Sequence, residues 1–109
     1  MTPKSIAEII GSARGKVVFD DLSALDNSAD PLDNTSFLKE DLLQIEYRYH
    51  ILVDAGWYSR TATPGQFIVY VIKNTDWMRP LLRLTANTWA ELLNALEEAI
   101  SLANSRSAK

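Results

Sequence analysis

The chain has 109 residues, of which 47% are hydrophobic, 9% aromatic and 23% charged, and it carries a net charge of −3 at pH 7. That composition fits one globular domain able to bury its own core, and it excludes a disordered chain. Cysteine is absent, which excludes disulfides, thiolate catalysis and cysteine-ligated zinc. The acidic balance argues against general binding along a phosphate backbone, which wants a basic face.

The first residues, Met1 to Glu8, carry an early acid and no long apolar stretch, so no secretory signal is expected there. No apolar run approaches the roughly 18 to 20 residues of a membrane helix, and the expected location is the cytoplasm. Thr2 to Ala13 reads as a short helix, with Pro3 in its first turn, Ile6, Ile9 and Ile10 on one face, and Gly11 and Gly15 ending it. Lys16 to Phe19 is a short apolar run of undecided type. Asp20 to Ser36 is rich in Asp, Asn and Ser and reads as a long loop, with a turn near Leu22 to Leu25; loops of that length tend to be functional or mobile.

From Leu42 the pattern changes to period two. Leu43, Ile45, Tyr47 and Tyr49 alternate with Gln44, Glu46, Arg48 and His50, the mark of a half-buried strand. Ile51 to Tyr58 is a second strand candidate, either paired with the first through a tight reversal near Arg48 to His50 or continuous with it. Thr63-Pro64-Gly65 forms a turn. Gln66 to Lys73 is the strongest strand, ended by Asn74-Thr75-Asp76, and Leu81 to Thr85 is another. Thr88 and Glu91 form a capping box that opens a helix. Trp89, Leu92, Leu93, Leu96, Ala99, Ile100 and Ala103 make its apolar stripe, and Asn104 to Lys109 should fray. Short links between strands favour antiparallel pairing. The expected fold is α+β: an antiparallel sheet of three to four strands, a C-terminal amphipathic helix on one face, and a short N-terminal helix. Residues 1–35 hold the N-terminal helix and acidic loop, and residues 36–104 the sheet and C-terminal helix, all in one domain.

Few residues carry chemistry. His50 is the only histidine, so a nucleophilic triad or a histidine-rich metal site cannot be built around it within one chain. Asp26 to Phe37 has the look of a calcium loop but puts Pro31 where that loop needs Gly and Phe37 where it needs Glu. Asp54, inside an apolar stretch, reads as a turn residue or as the partner of Arg60 or Arg79. Charge is unevenly spread. Between Val17 and Glu46 lie eight acids against Lys39 alone, a net −7 that leaves the remainder near +4. An acidic surface of this kind suits a basic protein partner, which it attracts by electrostatic steering.

The stretch Ser36 to Leu102, with LLQIEY, ILVDAGWY, a Pro-Gly turn, QFIVYVIKNTDWMRPLLRL and a capped amphipathic helix, resembles small bacterial proteins encoded beside polymorphic toxins, the immunity proteins of contact-dependent growth inhibition systems. Gly56-Trp57-Tyr58 and Thr75-Asp76-Trp77 are its chief motifs. The resemblance implies a cytoplasmic inhibitor that binds a cognate toxin. Together with the charge pattern it points to a nuclease toxin whose basic active site the acids would cover. Asp20, Asp21, Asp26, Asp30 and Asp33 are then the expected contacts, with Tyr47, Tyr49 and Trp57 as anchors. No catalytic residue, metal, cofactor, direct nucleic-acid contact or membrane contact is expected. The alternative is a non-catalytic small-ligand or regulatory domain with a pocket on the sheet face under the acidic loop.

Overall fold

A computed structural model describes residues 4–25, 30–31, 38–60 and 63–108. The chain runs through α1 (Ile6–Gly11), β1 (Lys16–Asp20), β2 (Leu43–Tyr47), one 3-10 turn (Arg48–His50), β3 (Ile51–Arg60), β4 (Thr63–Lys73), β5 (Leu82–Ala86) and α2 (Trp89–Ser107). The sheet has five strands in the order β1-β2-β3-β4-β5, and every neighbouring pair is antiparallel. The additional strand, beyond the three to four expected, is the Lys16 to Phe19 run. Its four exposed residues out of five gave it no alternating pattern to read.

Alternation along the central strands sorts the side chains into two layers. Leu43, Ile45, Val53, Ala55, Phe67, Val69 and Val71 meet Leu92, Leu96, Ala99 and Ile100 of α2 and Ile6, Ile9 and Ile10 of α1 in one core. The Trp57 and Phe67 rings meet edge to face with centroids 4.9 Å apart, and Trp89 lies 5.0 Å from Phe67. Among the described residues no helix covers the opposite face, yet Ile68, Ile72 and Asp54 are buried there too. The 39–41 segment, which brings Asp41 near Asp54, continues β2 alongside β3: Trp57 N–H donates to the Lys39 carbonyl at 2.8 Å, and Leu42 N–H to that of Ala55 at 3.0 Å. Gly56 sits beneath it, where a Cβ would collide with the Glu40 carbonyl.

The helix ends differ from expectation for identifiable reasons. α1 starts at Ile6 because Ser5 caps it: Glu8 N–H donates to Ser5 Oγ, and Ser5 N–H donates to Glu8 Oε1. α2 does not fray from Asn104. That side chain donates to the Ser12 carbonyl at 3.1 Å and accepts from Arg14 N–H at 2.9 Å, while Ala103 and Ser107 are buried. Thr88 caps α2 as the sequence suggests, but Glu91 accepts from Asn87 N–H rather than from Thr88 N–H. Among the described residues no helix is long and apolar enough to cross a membrane.

Candidate partner-binding surface

Strand register gathers the acids. Asp20 pairs with Leu43 at the start of β2, while Lys16 pairs with Glu46 near its end. The 20–21 and 39–41 segments are then fastened side by side, because the Leu42 carbonyl accepts both Asp21 N–H at 2.8 Å and Leu22 N–H at 3.0 Å. One end of the sheet thus carries Asp20, Asp21, Glu40 and Asp41, with Lys39 among them. The other end carries the cations Arg14, Lys16, Arg48 and Lys73 in excess over the acids Glu46 and Asp76. The molecule is polarised along its strands.

The acids are not equivalent. Asp20 is held as a turn cap, accepting from both the N–H and the hydroxyl of Ser23. Asp21 pairs with Lys39, both half-exposed, and an exposed pair of this kind stabilises by at most about 1 kcal/mol. Lys39 also lies 5.8 Å from the centre of the Phe19 ring. Glu40 and Asp41 are exposed, as is Asp30. The expected contacts Asp26 and Asp33 lie outside the described residues. Glu40 and Asp41 belong to the same charge run and were recognisable from it, although nothing in the sequence distinguishes them from the other acids.

The aromatic anchors do not join this surface. Trp57 is only 4% exposed and packs in the core, covered by Gly65. Tyr47 is also buried, and burial pushes its hydroxyl up to about 12. Both point into the helix-covered layer because strand parity puts them in line with Ile45 and Ala55, so neither offers its ring to a partner. Tyr49 is exposed but lies at the basic end. It is separated from Asp20 by about five residues of strand, roughly 17 Å at the usual rise. It is not a strand residue at all: Tyr49 and His50 turn the chain with φ of 64° and 58°, a left-handed conformation that non-glycine residues adopt at a cost. Asn74 and Thr75 repeat that conformation in the β4–β5 connection, and Asn74 N–H donates to the His50 carbonyl at 2.9 Å. Trp77 and Met78 are exposed in the same connection, with Trp77 set edge to face against Tyr70 at 5.5 Å.

Asp54 is the one buried carboxylate among the described residues, 2% exposed in the middle of β3. It is not a turn residue, and among the described residues no arginine pairs with it; the side chain of Arg60 lies outside them. Gln44, directly opposite on β2, donates to its Oδ2 at 2.8 Å, and Oδ1 has no partner. Burial raises its pKa, the Gln44 hydrogen bond opposes the rise, and the nearby Asp41 adds to it. A raised folded pKa means that the native state holds its proton more tightly than the unfolded chain. The ionised group therefore costs stability above the folded pKa, and that cost vanishes below the ordinary carboxylate value of about 3.9. Asp54→Asn keeps the shape and the Gln44 contact without the charge. It should raise the melting temperature at pH 7 to 8 and leave it unchanged near pH 3. A neutral-pH melting temperature at or below wild type would show that the carboxylate is not a stability cost.

Clefts occur at the basic end. One of about 490 Å³ is lined by Arg14, Lys16, Glu46, Tyr47 and Arg48 beside the end of α2. There the cations face the carbonyl end of the helix, whose dipole they complement. No family model, curated protein or solved structure matches this chain.

Proposed function

We propose that the protein is an inhibitory binding domain of the immunity type, which occupies a basic surface on a bacterial toxin, most simply the substrate cleft of a nuclease. The observation that carries this reading is the gathering of Asp20, Asp21, Glu40 and Asp41 at one end of a rigid sheet, two of them on a segment fastened to β3 by backbone hydrogen bonds. A preorganised acidic surface suits inhibition of an enzyme that binds polyanions. It competes with the substrate for the same cations, and attraction at a distance speeds encounter. The resemblance of Ser36 to Leu102 to immunity proteins supports the same reading. The chain acts in the cytoplasm on this proposal, where a toxin would arrive.

The test begins with the product of the gene immediately upstream, co-expressed and co-purified with this protein. A stable complex that loses nuclease activity is the expected result. The combined substitution Asp21→Asn, Glu40→Gln and Asp41→Asn should then slow association by about tenfold or more at low salt and flatten its salt dependence. Dissociation should change less. A neighbour that forms no complex would remove the proposal. Unaltered association by the triple variant would show that the acids do not steer binding.

A further inference from the structure

We propose that the protein forms a two-fold dimer in which β1 pairs antiparallel with β1 of a second copy, joining the two sheets edge to edge. This inference does not rest on the toxin reading, although the dimer would engage Asp20 and Asp21 of the acidic end, and it stands on three features of the strand. First, β1 is an edge. It pairs with β2 on one side, and among the described residues no strand pairs with its other side. An unpaired edge offers a row of N–H and C=O groups to another chain.

Second, the helix layer stops short of it. α2 packs chiefly on β3, β4 and β5 and reaches only the margin of β2, so β1 overhangs. Val17 and Val18, at its centre, are 40% and 42% exposed. They are consecutive, and a register shift between Val17 and Phe19 leaves Val18 without a partner on β2. A two-fold axis through the middle of the strand brings the valines of both copies together and shields them.

Third, the charge polarity selects the second copy as the occupant. Lys16 and Asp20 sit at opposite ends of β1. Antiparallel pairing about the strand centre sets each beside its opposite in the other copy, the arrangement that stabilises cross-strand pairs. The same operation lays the Asp20–Asp21 end of one molecule along the Arg14–Lys16 end of the other, where the two cations outnumber Glu46, the acid paired with Lys16. Glu40 and Asp41 lie on the 39–41 segment that continues β2, one strand in from the edge, and neither is on the strand that pairs in the dimer. The short strand and its bulge do not favour open-ended addition, whereas an isologous pair closes on itself.

Sedimentation velocity over a concentration series tests this. The wild-type chain should shift from monomer to dimer as concentration rises, and the dimer should weaken with salt. Val18→Lys, at an exposed position, should remain monomeric over the same range with its circular dichroism and melting temperature retained. The chain has no native cysteine, so Val18→Cys gives a direct readout. Opposed α-carbons in antiparallel strands lie about 4.5 to 5.5 Å apart, within disulfide reach. Mild oxidation should yield a covalent dimer with Val18→Cys and none with Ser101→Cys on the exposed side of α2. A wild-type chain that stays monomeric throughout would overturn the proposal. So would a dimer that survives Val18→Lys while Val18→Cys fails to cross-link, since association would then run through another surface.

Discussion

Leu96→Asp is expected to leave no cooperative unfolding transition. Leu96 is fully buried on α2, within the cluster that joins both helices to the sheet. Removing such a side chain costs about 2 to 5 kcal/mol in lost contact and cavity, and the carboxylate adds the cost of a charge with no partner. Domains of this size have a total stability of about 5 to 15 kcal/mol, so the two terms exhaust the margin. Far-ultraviolet circular dichroism with urea titration is the measurement. Glu97→Ala, one residue along on the exposed side of the helix, should stay within about 0.5 kcal/mol of wild type. A cooperative transition in Leu96→Asp with a wild-type midpoint would mean that α2 does not hold the sheet.

The contrast between these adjacent positions is what made the fold readable from the chain. α2 places one face in a deep core and repeats its apolar residues at 3.6, and β2 alternates at 2, while β3 and β4 are buried on both faces over most of their length and show as apolar runs. Thr88 marks the start of α2, but Thr63-Pro64-Gly65, which reads as a turn, is the start of β4, paired back to Arg60. β1 lacks that signal because it lies beyond the helix layer and buries almost nothing. The cap of α1 was present in the sequence as Ser5-Ile6-Ala7-Glu8, yet Pro3 gave a competing signal for an earlier start. The end of α2 depended on Asn104 reaching Ser12 and Arg14, residues about ninety positions away, and no local pattern encodes such a contact.

The candidate surface divides in the same way. A run of acids is visible as a run, so the charged character of the 20–41 region was legible. Which acids lie together was not, because it follows from the register of β1 on β2 and from the return of residues 39–41 along β3. Tyr47 and Trp57 have the chemistry of interface anchors. Strand parity turns both inward, and parity counts only once the strand boundaries are known. The tight reversal near Arg48 to His50, expected as one of two readings, does pair β2 with β3, although it carries no Asn-Gly or Asp-Gly signature; what the alternation with Tyr47 hides is that Tyr49 belongs to the turn and not to the strand.

Gly56→Ala is expected to destabilise the domain by about 2 to 3 kcal/mol, an overpacking cost. No glycine in the chain has positive φ among the described residues, so backbone freedom is not what Gly56 supplies. It supplies space: the added methyl would collide with the carbonyl of Glu40. A flexible side chain could swing away, but this neighbour is backbone held on both sides, by Trp57 N–H on the Lys39 carbonyl and by Leu42 N–H on the Ala55 carbonyl. Relief therefore requires the 39–41 segment to lift and release those bonds, each worth about 1 kcal/mol net. The melting temperature should fall by about 10 °C or more, and the Trp57 and Leu42 amides should lose protection from hydrogen exchange ahead of the β3–β4 core. Lifting the segment also moves Asp41 away from Asp54, so the folded pKa of Asp54 should return toward the ordinary carboxylate range. The stabilisation gained from Asp54→Asn at neutral pH should accordingly be smaller in the Gly56→Ala background than in wild type. An unchanged melting temperature, or an Asp54→Asn gain equal in both backgrounds, would show that residues 39–41 do not both press on Gly56 and act on Asp54.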